Sequence, residues 1–363
     1  MRRKKIALRL SLLIEPCRTD IQLFAKAFFG HYREHDEPEF HREIFSLLQS
    51  DSIPRLAVAA PRGHAKSTLV SLIYVLWEAM RGRRRFIVLV GNSTTAATRL
   101  LEHVRHELET NDLLRTAYGA QEPRRANDDK WNSSPRGLRN GGEILAVGQQ
   151  EKIRGIRNAE QRPDLVIVDD LEDDEHVRSK DQRDKDKATL SRVIEPMTDT
   201  CGRIIVIGTV LHPYALLAEL IDPEHWQAYE KRRYQAIQAD GSALWPARYD
   251  LDWLERKRID IGAFSFACEY QNQPVNEETK MFRREWLRFY DDLPPGLDYY
   301  AGTDPSVSER EQSDFFVCLT VGVERATGDI YVADIYRAQT TMERHTQAMI
   351  DRHRRFNWVR VNF

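Results

Sequence analysis

The chain has 363 residues, of which 41% are apolar and 30% are charged, a balance that excludes a fibrous or disordered chain. This length suits two domains better than one core. The formal net charge is only -2, so any nucleic-acid binding must come from local basic patches rather than from bulk charge.

The cysteine pattern indicates a reducing compartment. The four cysteines lie far apart, without a C-x-x-C pair, at Cys17, Cys201, Cys268 and Cys318. This spacing argues against a zinc site and against a disulfide framework. The basic start at residues 1–5 imitates a signal peptide, but Arg9 interrupts the apolar run that follows. Because no stretch approaches the roughly 20 apolar residues of a membrane span, we expect a soluble intracellular protein.

Residues 1–50 are predicted to form a helical N-terminal segment. Their apolar residues recur at helical spacing, as at Ile21, Phe24, Ala25, Phe28 and Phe29.

Residues 51–270 show a different pattern, in which short apolar runs alternate with longer amphipathic segments. The runs are Leu56–Ala59, Phe86–Val90, Leu165–Val168 and Ile204–Ile207. Continuous β-rich runs separated by helices are typical of a parallel sheet that is covered on both faces. We therefore predict an α/β domain here.

Turn-forming residues then predict a linker over 271–297, followed by a second domain over 298–363. Three strands are predicted at Tyr299–Thr303, Phe315–Val323 and Ile330–Ile335, a helix at about 341–355, and a fourth strand at Trp358–Phe363. Because the sequence stops inside that strand, we expect a truncated chain with an incomplete second domain.

A candidate phosphate-binding loop follows the first apolar run, at Ala60–Thr68. It precedes an amphipathic segment from Leu69 to Met80, and strand, loop and helix N-terminus are the context in which backbone amides and a lysine hold phosphates. The candidate nucleotide-binding residues are Arg62, Gly63, His64, Ala65, Lys66, Ser67 and Thr68, with Ser67 placed to hold Mg²⁺. Both glycines of G-x-x-x-x-G-K-[ST] are replaced, by Ala60 and Ala65, so an ordinary loop before a helix remains an alternative.

Two further apolar runs end in residues that suit ATP hydrolysis. Asp169 and Asp170 follow the third run, where one acid can hold Mg²⁺ and the next can polarise the attacking water, with Glu172 as a rival base. Thr209 follows the fourth run and is a candidate sensor of the γ-phosphate. A solvated turn with two aspartates and a structural threonine are the alternatives.

Taken together, these residues resemble the large terminase subunits of tailed bacteriophages, the ATP-driven motors that package DNA. The Pro61–Thr68 loop looks like the family's deviant Walker A, and Phe264–Pro274 is similar to its inter-domain region. The resemblance implies an α/β P-loop NTPase of the ASCE type, with a mostly parallel sheet covered by helices. It also implies that a partial RNase H-like α/β nuclease domain follows.

The same resemblance assigns further site residues. It implies that Arg62 acts on the γ-phosphate in cis and that Arg154 or Arg157 reaches a neighbouring subunit. It also places His41, within Phe40–Phe45, near the adenine.

For the second domain, the resemblance implies a nuclease that uses a pair of Mg²⁺ or Mn²⁺ ions. Asp304 and Asp314 match two of the family's metal ligands, and Asp334 is a weaker candidate. For Asp334, an ion pair with an arginine such as Arg337 is the better interpretation.

We expect little or no nuclease activity from the chain as it stands. Two further acids of the family's cluster are missing, and two-metal chemistry needs several converging carboxylates. Incubating the purified chain with supercoiled plasmid and Mn²⁺ tests this expectation, which linear product would contradict.

The function that follows from the resemblance is ATP-driven translocation of double-stranded DNA into procapsids, in the cytoplasm of a bacterial host. Its cofactors would be ATP and Mg²⁺, and its partners the portal protein and a small terminase subunit, with the chain in a homo-oligomeric ring or monomeric when isolated. Two alternatives remain open. One is a P-loop kinase of a small metabolite, and the other is an inactive prophage remnant.

Overall fold

The computed structural model describes residues 12–121, 136–149, 161–174, 176–198, 200–274, 288–304 and 315–362. The chain divides into two compact units, Met1–Lys280 and Met281–Phe363. Within the described ranges, no helix is both long enough and apolar enough to cross a membrane.

The first unit is built on a seven-stranded sheet. Its strands are β1 (Arg55–Ala59), β2 (Phe86–Gly91), β3 (Arg136–Gly137), β4 (Glu143–Gly148), β5 (Leu165–Asp169), β6 (Arg203–Gly208) and β7 (Glu230–Arg233). They are ordered β3-β4-β2-β5-β6-β1-β7, and all neighbouring pairs are parallel except β3 with β4. The predicted fold class of a mostly parallel α/β sheet is confirmed.

Each of the four apolar runs lies in a strand, because alternate side chains enter the cores on opposite faces of the sheet. On β1, Leu56 and Val58 face one core while Ala57 and Ala59 face the other. Sequence analysis missed β3, β4 and β7. The edge strand β7 is charged throughout and only partly buried, so that it carries no apolar signal.

Helices cover both faces of this sheet. Residues 12–19 are helical. The helices that follow are α1 (Ile21–Phe28), α2 (Glu39–Gln49), α3 (Val75–Arg81), α4 (Thr94–Thr110), α5 (Asp112–Tyr118), α6 (Lys180–Thr189), α7 (Leu216–Leu220), α8 (Leu251–Ile261) and α9 (Ala263–Glu269). Short 3₁₀ turns occupy Gly30–Tyr32, His176–Arg178 and Glu195–Met197, and a π-helical turn occupies Leu190–Ile194.

The helix after the candidate phosphate loop differs from the prediction. It begins as a π-helix at Thr68–Tyr74 and continues as α3. It was predicted to be amphipathic, but every side chain from Leu69 to Met80 is buried. The prediction was wrong because α1 and α2 join the same core and cover the side that would otherwise face solvent.

The second unit contains a four-stranded sheet and one helix. The strands β8 (Asp298–Asp304), β9 (Phe316–Val323), β10 (Ile330–Ala338) and β11 (Arg360–Asn362) are ordered β10-β9-β8-β11. The pairs β10–β9 and β9–β8 are antiparallel, whereas β11 runs parallel to β8. Helix α10 (Met342–Phe356) contributes Phe356 to a small core that also holds Phe316 and Cys318 of β9.

Candidate functional site

Three predicted elements meet at the carboxyl edge of the first sheet. Strand β6 lies between β1 and β5, and all three run in the same direction. Their ends therefore carry the loop with Lys66, the acids Asp169 and Asp170, and Thr209 to one edge. The Lys66 ammonium donates to the Thr209 hydroxyl at 2.9 Å and lies 3.4 Å from the Asp170 carboxylate.

The second pair at this edge is Ser67 with Asp169. The Ser67 hydroxyl donates to Oδ1 of Asp169 at 3.0 Å, and the Asp169 side chain is buried. A hydroxyl beside a carboxylate is an oxygen donor set that suits Mg²⁺, which usually takes one or two protein ligands and completes its shell with phosphate and water. Among the described residues, no group of three or more acidic, histidine or cysteine side chains is placed to hold a metal.

The surroundings of Asp169 disfavour the negative charge of its carboxylate. Burial, and then the negative charge of Asp170, raises the pKa of Asp169 above its ordinary value, although hydrogen bonds and Lys66 act against this. A cation placed between Asp169 and Ser67 would lower the pKa of Asp169 again, because a nearby positive charge favours the ionised carboxylate. The residues present therefore fit a divalent ion.

Two residues of the loop adopt the left-handed backbone conformation. Gly63 has φ +76° and Ala65 has φ +67°. A Cβ atom at Gly63 would lie 2.6 Å from the Tyr249 hydroxyl oxygen, so a side chain there would strain the backbone and force that hydroxyl to move. Ala65 adopts the same region with a Cβ atom, which costs about 1 kcal/mol. Gly63 thus supplies backbone freedom, and Ala65 is held despite its strain.

Replacing Gly63 with alanine is expected to destabilise the protein by more than about 1 kcal/mol and to weaken nucleotide binding. The left-handed backbone alone costs about 1 kcal/mol, and the contact with Tyr249 adds to it. Gly82 is the matched control, because it has φ +67° and no atom within 4 Å of its would-be Cβ. Gly82→Ala should lose about 1 kcal/mol and bind nucleotide normally. Urea unfolding and fluorescent-nucleotide titration measure both, and equal losses in the two variants would contradict the steric argument.

Ring side chains pack against the loop. The His41 Nε2 lies 3.1 Å from the His64 carbonyl, and the His64 ring lies 4.8 Å from that of Tyr249. Burial lowers the pKa of both imidazoles to about 4, so both are neutral at physiological pH. His41, predicted near the adenine, thus contacts the loop backbone itself.

A cavity of about 380 Å³ adjoins the loop at Ala65 and Thr68. Its walls include Phe29, His41, Phe45, Leu69, Trp245 and Arg248. The lining is mixed, because charged side chains such as Lys26, Arg33 and Glu37 stand beside the aromatic ones. A concave site with aromatic walls and polar groups beside a phosphate loop is a candidate nucleoside pocket.

The Arg62 side chain is held by an acid from a distant part of the chain. Its guanidinium donates to Glu269 of α9 at 3.0 Å, and its backbone N–H donates to the Glu269 carbonyl at 2.9 Å. The Arg62 side chain is nevertheless 69% exposed. The loop arginine is therefore tethered at both backbone and side chain while it stays open to solvent.

The two candidate bases have different environments. Asp170 is half exposed and faces Lys66, whereas both Glu172 oxygens accept backbone N–H groups, from Leu216 at 2.7 Å and from Leu217 at 3.1 Å. Those amides belong to the first turn of α7. Glu172 thus caps a helix, and this favours Asp170 as the residue that meets water beside the lysine.

Glu172 should make the stability of the protein depend on pH. Burial raises the pKa of Glu172 from 4.5 to about 7. Between pH 4.5 and about pH 7 the folded state therefore binds more protons than the unfolded state. The contribution of Glu172 to the free energy of unfolding is present at low pH and is lost as the pH rises. The unfolding free energy of wild type minus that of Glu172→Gln should fall by on the order of 3 kcal/mol from pH 4.5 to 7.5.

Taking the difference between the two proteins cancels the contributions of groups common to both, including Asp169 and the two buried histidines. Urea unfolding at several pH values measures the difference. A difference that stays constant across this range would show that the Glu172 carboxyl titrates normally.

The other predicted residues either are not described or belong to the second unit. Arg154, Arg157 and Asp314 lie outside the described residues. Asp304 is the exposed last residue of β8. Asp334 forms an ion pair with Arg352 at 2.6 Å, so the predicted pairing with an arginine is correct but its partner is not Arg337.

The strand registers also separate Asp334 from Asp304. Asp304 pairs with Val317 and Asp334 with Thr320, two β9 positions that point to opposite faces of the sheet. Asp334 is therefore not placed to share a metal site with Asp304.

A larger groove of about 1000 Å³ is lined by residues that include Val210, Phe266 and Pro274. At its base the buried Asn272 accepts the Val210 N–H at 2.9 Å and donates to the Tyr234 carbonyl at 2.8 Å. Asn272 thus ties the chain just after β6 to the segment that follows α9.

Sequence analysis did not single out three residues that complete the site. Ser71 donates to Asp169, Glu269 holds Arg62, and Tyr249 packs on the loop. Ser71 had a recognisable signal, because it is a small polar residue inside an apolar run. Glu269 and Tyr249 had no such signal, because their partners are 207 and 186 positions away in sequence.

Comparisons with known proteins give similar structures only. No family model matches the chain, and no curated protein matches it. Among solved structures, the large terminase from a thermophilic bacteriophage in complex with ADP is 12% identical with a TM-score of 0.43, covering 88% of this chain and 74% of that one. The large terminase ATPase domain of Thermus phage P74-26 is 17% identical with a TM-score of 0.44, covering 68% and 97%.

A similar structure of another kind is S. cerevisiae dbp5, in a complex that includes ADP. It is 11% identical with a TM-score of 0.39, covering 59% of this chain and 52% of that one. At these identities and TM-scores, none of the similar structures decides what this chain does.

Proposed function

We propose that this chain is an ATPase whose site lies at the carboxyl edge of the first sheet. The observation that carries the proposal is the convergence of Lys66 with Thr209 and Asp170, beside the Ser67–Asp169 pair. An idle loop has no physical need for a buried lysine among two carboxylates and two hydroxyls, because burying such charges is costly.

Each side chain has a role that suits phosphoryl transfer, which depends mostly on positioning and on charge stabilisation. Lys66 neutralises the β- and γ-phosphates, and Thr209 contacts the γ-phosphate. Asp170 orients the attacking water and accepts its proton. Ser67 and Asp169 would hold Mg²⁺, which would neutralise charge at the phosphate oxygens when bound. Arg62 adds a second cation at the loop once it leaves Glu269.

We further propose that hydrolysis drives translocation of double-stranded DNA, with the chain acting as a large terminase subunit. Support comes from the motif resemblance and from the structural position of the motif residues. Arg62 and Glu269 join the loop to the Phe264–Pro274 segment, and Trp245 lines the nucleoside cavity.

The remaining parts of the proposal concern the assembly. We propose a homo-oligomeric ring on a portal protein, supplied with DNA by a small terminase subunit, in a bacterial cytoplasm. In such a ring Arg154 or Arg157 would reach the ATP of a neighbouring subunit. Metal-dependent DNA cleavage would belong to the second unit, with Asp304 and Asp314 as ligands, in a protein that carries the whole acidic cluster.

The test is steady-state ATP hydrolysis with and without linear duplex DNA, beside Lys66→Ala. We expect turnover that requires Lys66 and rises with DNA. Because contacts in a motor that moves any sequence must be largely to phosphates, the stimulation should fall steeply as salt increases from 50 to 200 mM.

Two other outcomes would redirect the proposal. Turnover that requires Lys66 but ignores DNA at every salt concentration would favour a small-molecule kinase. Turnover no higher than that of Lys66→Ala would favour a non-catalytic remnant and overturn the assignment as an enzyme.

A further inference from the structure

Both oxygens of the Asp169 carboxylate accept a hydroxyl from the same helical segment. Ser67 donates to Oδ1 at 3.0 Å, and Ser71 donates to Oδ2 at 2.6 Å. Ser71 is 2% exposed and Asp169 is 5% exposed, so neither has water as a ready alternative partner. Only Ser67 belongs to the phosphate-loop motif.

Ser71 has no packing reason to be a serine. It lies inside the buried π-helix Thr68–Tyr74, among Val70, Leu72 and Ile73, where alanine would fill nearly the same space. A buried hydroxyl is costly unless it is hydrogen-bonded, and the partner of this one is Asp169. A π-helical turn is also uncommon and occurs frequently at functional sites. The hydrogen bond to Asp169 therefore explains why a serine occupies this buried position.

The bond fixes the rotation of the carboxylate. The terminal torsion of an aspartate is broad and nearly two-fold, so the side chain alone does not determine where each oxygen points. With Ser71 on Oδ2, the other oxygen is directed at Ser67 and at the loop. Bonds of this kind, from outside the ligand set, orient a ligand before the cation arrives.

We propose that Ser71 is a positioning residue that orients Asp169 for the divalent cation bound with the nucleotide. This inference rests on the proposed ATPase function. It adds to the site a residue that neither touches the nucleotide nor belongs to the loop.

The test measures Mn²⁺ affinity by electron paramagnetic resonance in the presence of a non-hydrolysable ATP analogue. Ser71→Ala should weaken Mn²⁺ binding by about 10-fold or more, as is typical when such an orienting bond is lost. The affinity for the analogue in EDTA should stay within twofold of wild type, because Lys66 and the loop are unchanged. Ser71→Cys retains the size with a weaker donor; it should shift Mn²⁺ affinity in the same direction and serves if the alanine variant does not fold.

Tyr74→Phe is the matched control. It also removes a buried hydroxyl from the π-helix, but that hydroxyl accepts from Arg203 and makes no contact with Asp169. We expect it to lower stability and to leave Mn²⁺ affinity unchanged. If folded Ser71→Ala and Ser71→Cys bind Mn²⁺ as wild type does, the role of Ser71 is overturned and the proposed ATPase function is not affected. If wild type with the analogue binds no more Mn²⁺ than the analogue alone, the proposed function is overturned and the inference with it.

Discussion

Replacing Lys66 with alanine is expected to lower ATP turnover by about 100-fold or more, the scale seen when one preorganised charge-stabilising group is removed. Lys66 is 7% exposed and bonds both Thr209 and Asp170, so its ammonium is already in place at the edge where the phosphates would lie. Its removal deletes the cation and leaves two neighbouring carboxylates without their shared counter-charge. Initial rates of phosphate release at saturating ATP measure the effect, and thermal melting of the same sample shows that the variant is folded.

Lys231→Ala is the matched control for this variant. The Lys231 ammonium donates to the carbonyls of Asp222 and His225 and takes no part in the site. We expect its turnover to stay within a few-fold of wild type. Similar losses in the two variants would mean that lysine removal acts through stability, and the role of Lys66 in catalysis would then be withdrawn.

Replacing Asp170 with asparagine is expected to lower turnover by about 100- to 10,000-fold, the range contributed by general acid–base catalysis. Asparagine has the same size and keeps one oxygen, but it cannot accept a proton at neutral pH. Because Asp170 makes no contact in the nucleoside cavity, we expect ATP affinity to change far less than turnover. Pre-steady-state phosphate release separates the chemical step from binding.

Glu172→Gln distinguishes the two candidate bases. Its oxygens are occupied by the Leu216 and Leu217 amides, so the change should alter stability and leave turnover within about tenfold of wild type. If Glu172→Gln instead abolished turnover while Asp170→Asn retained it, Glu172 would be the base. The α7 cap would then have to open during the catalytic cycle.

The strand predictions succeeded where burial imposed a composition. The runs in β1, β2, β5 and β6 are apolar because each strand is covered on both faces, a requirement visible in any such segment. The prediction for Leu69–Met80 was wrong about exposure, because the face expected to meet solvent is buried. The helix itself was recognisable, but whether a second helical layer covers it depends on where α1 and α2 pack. The charged strand β7 was missed for the related reason that an edge position tolerates any residue that pairs.

The sequence by itself determined the order of the chemical elements: a loop with lysine and serine, then two acids, then a threonine, each at the end of a buried run. Parallel strands bring such ends to one edge, so the convergence could be predicted without coordinates. Only the tertiary structure decided which side chains are partners. Lys66 reaches Thr209 across 143 positions and Arg62 reaches Glu269 across 207. Strand order, helix packing and rotamers decide such contacts, and no local pattern encodes them. The roles of Glu172 as a cap and of Ser71 on Asp169 could for that reason be assigned only from the fold.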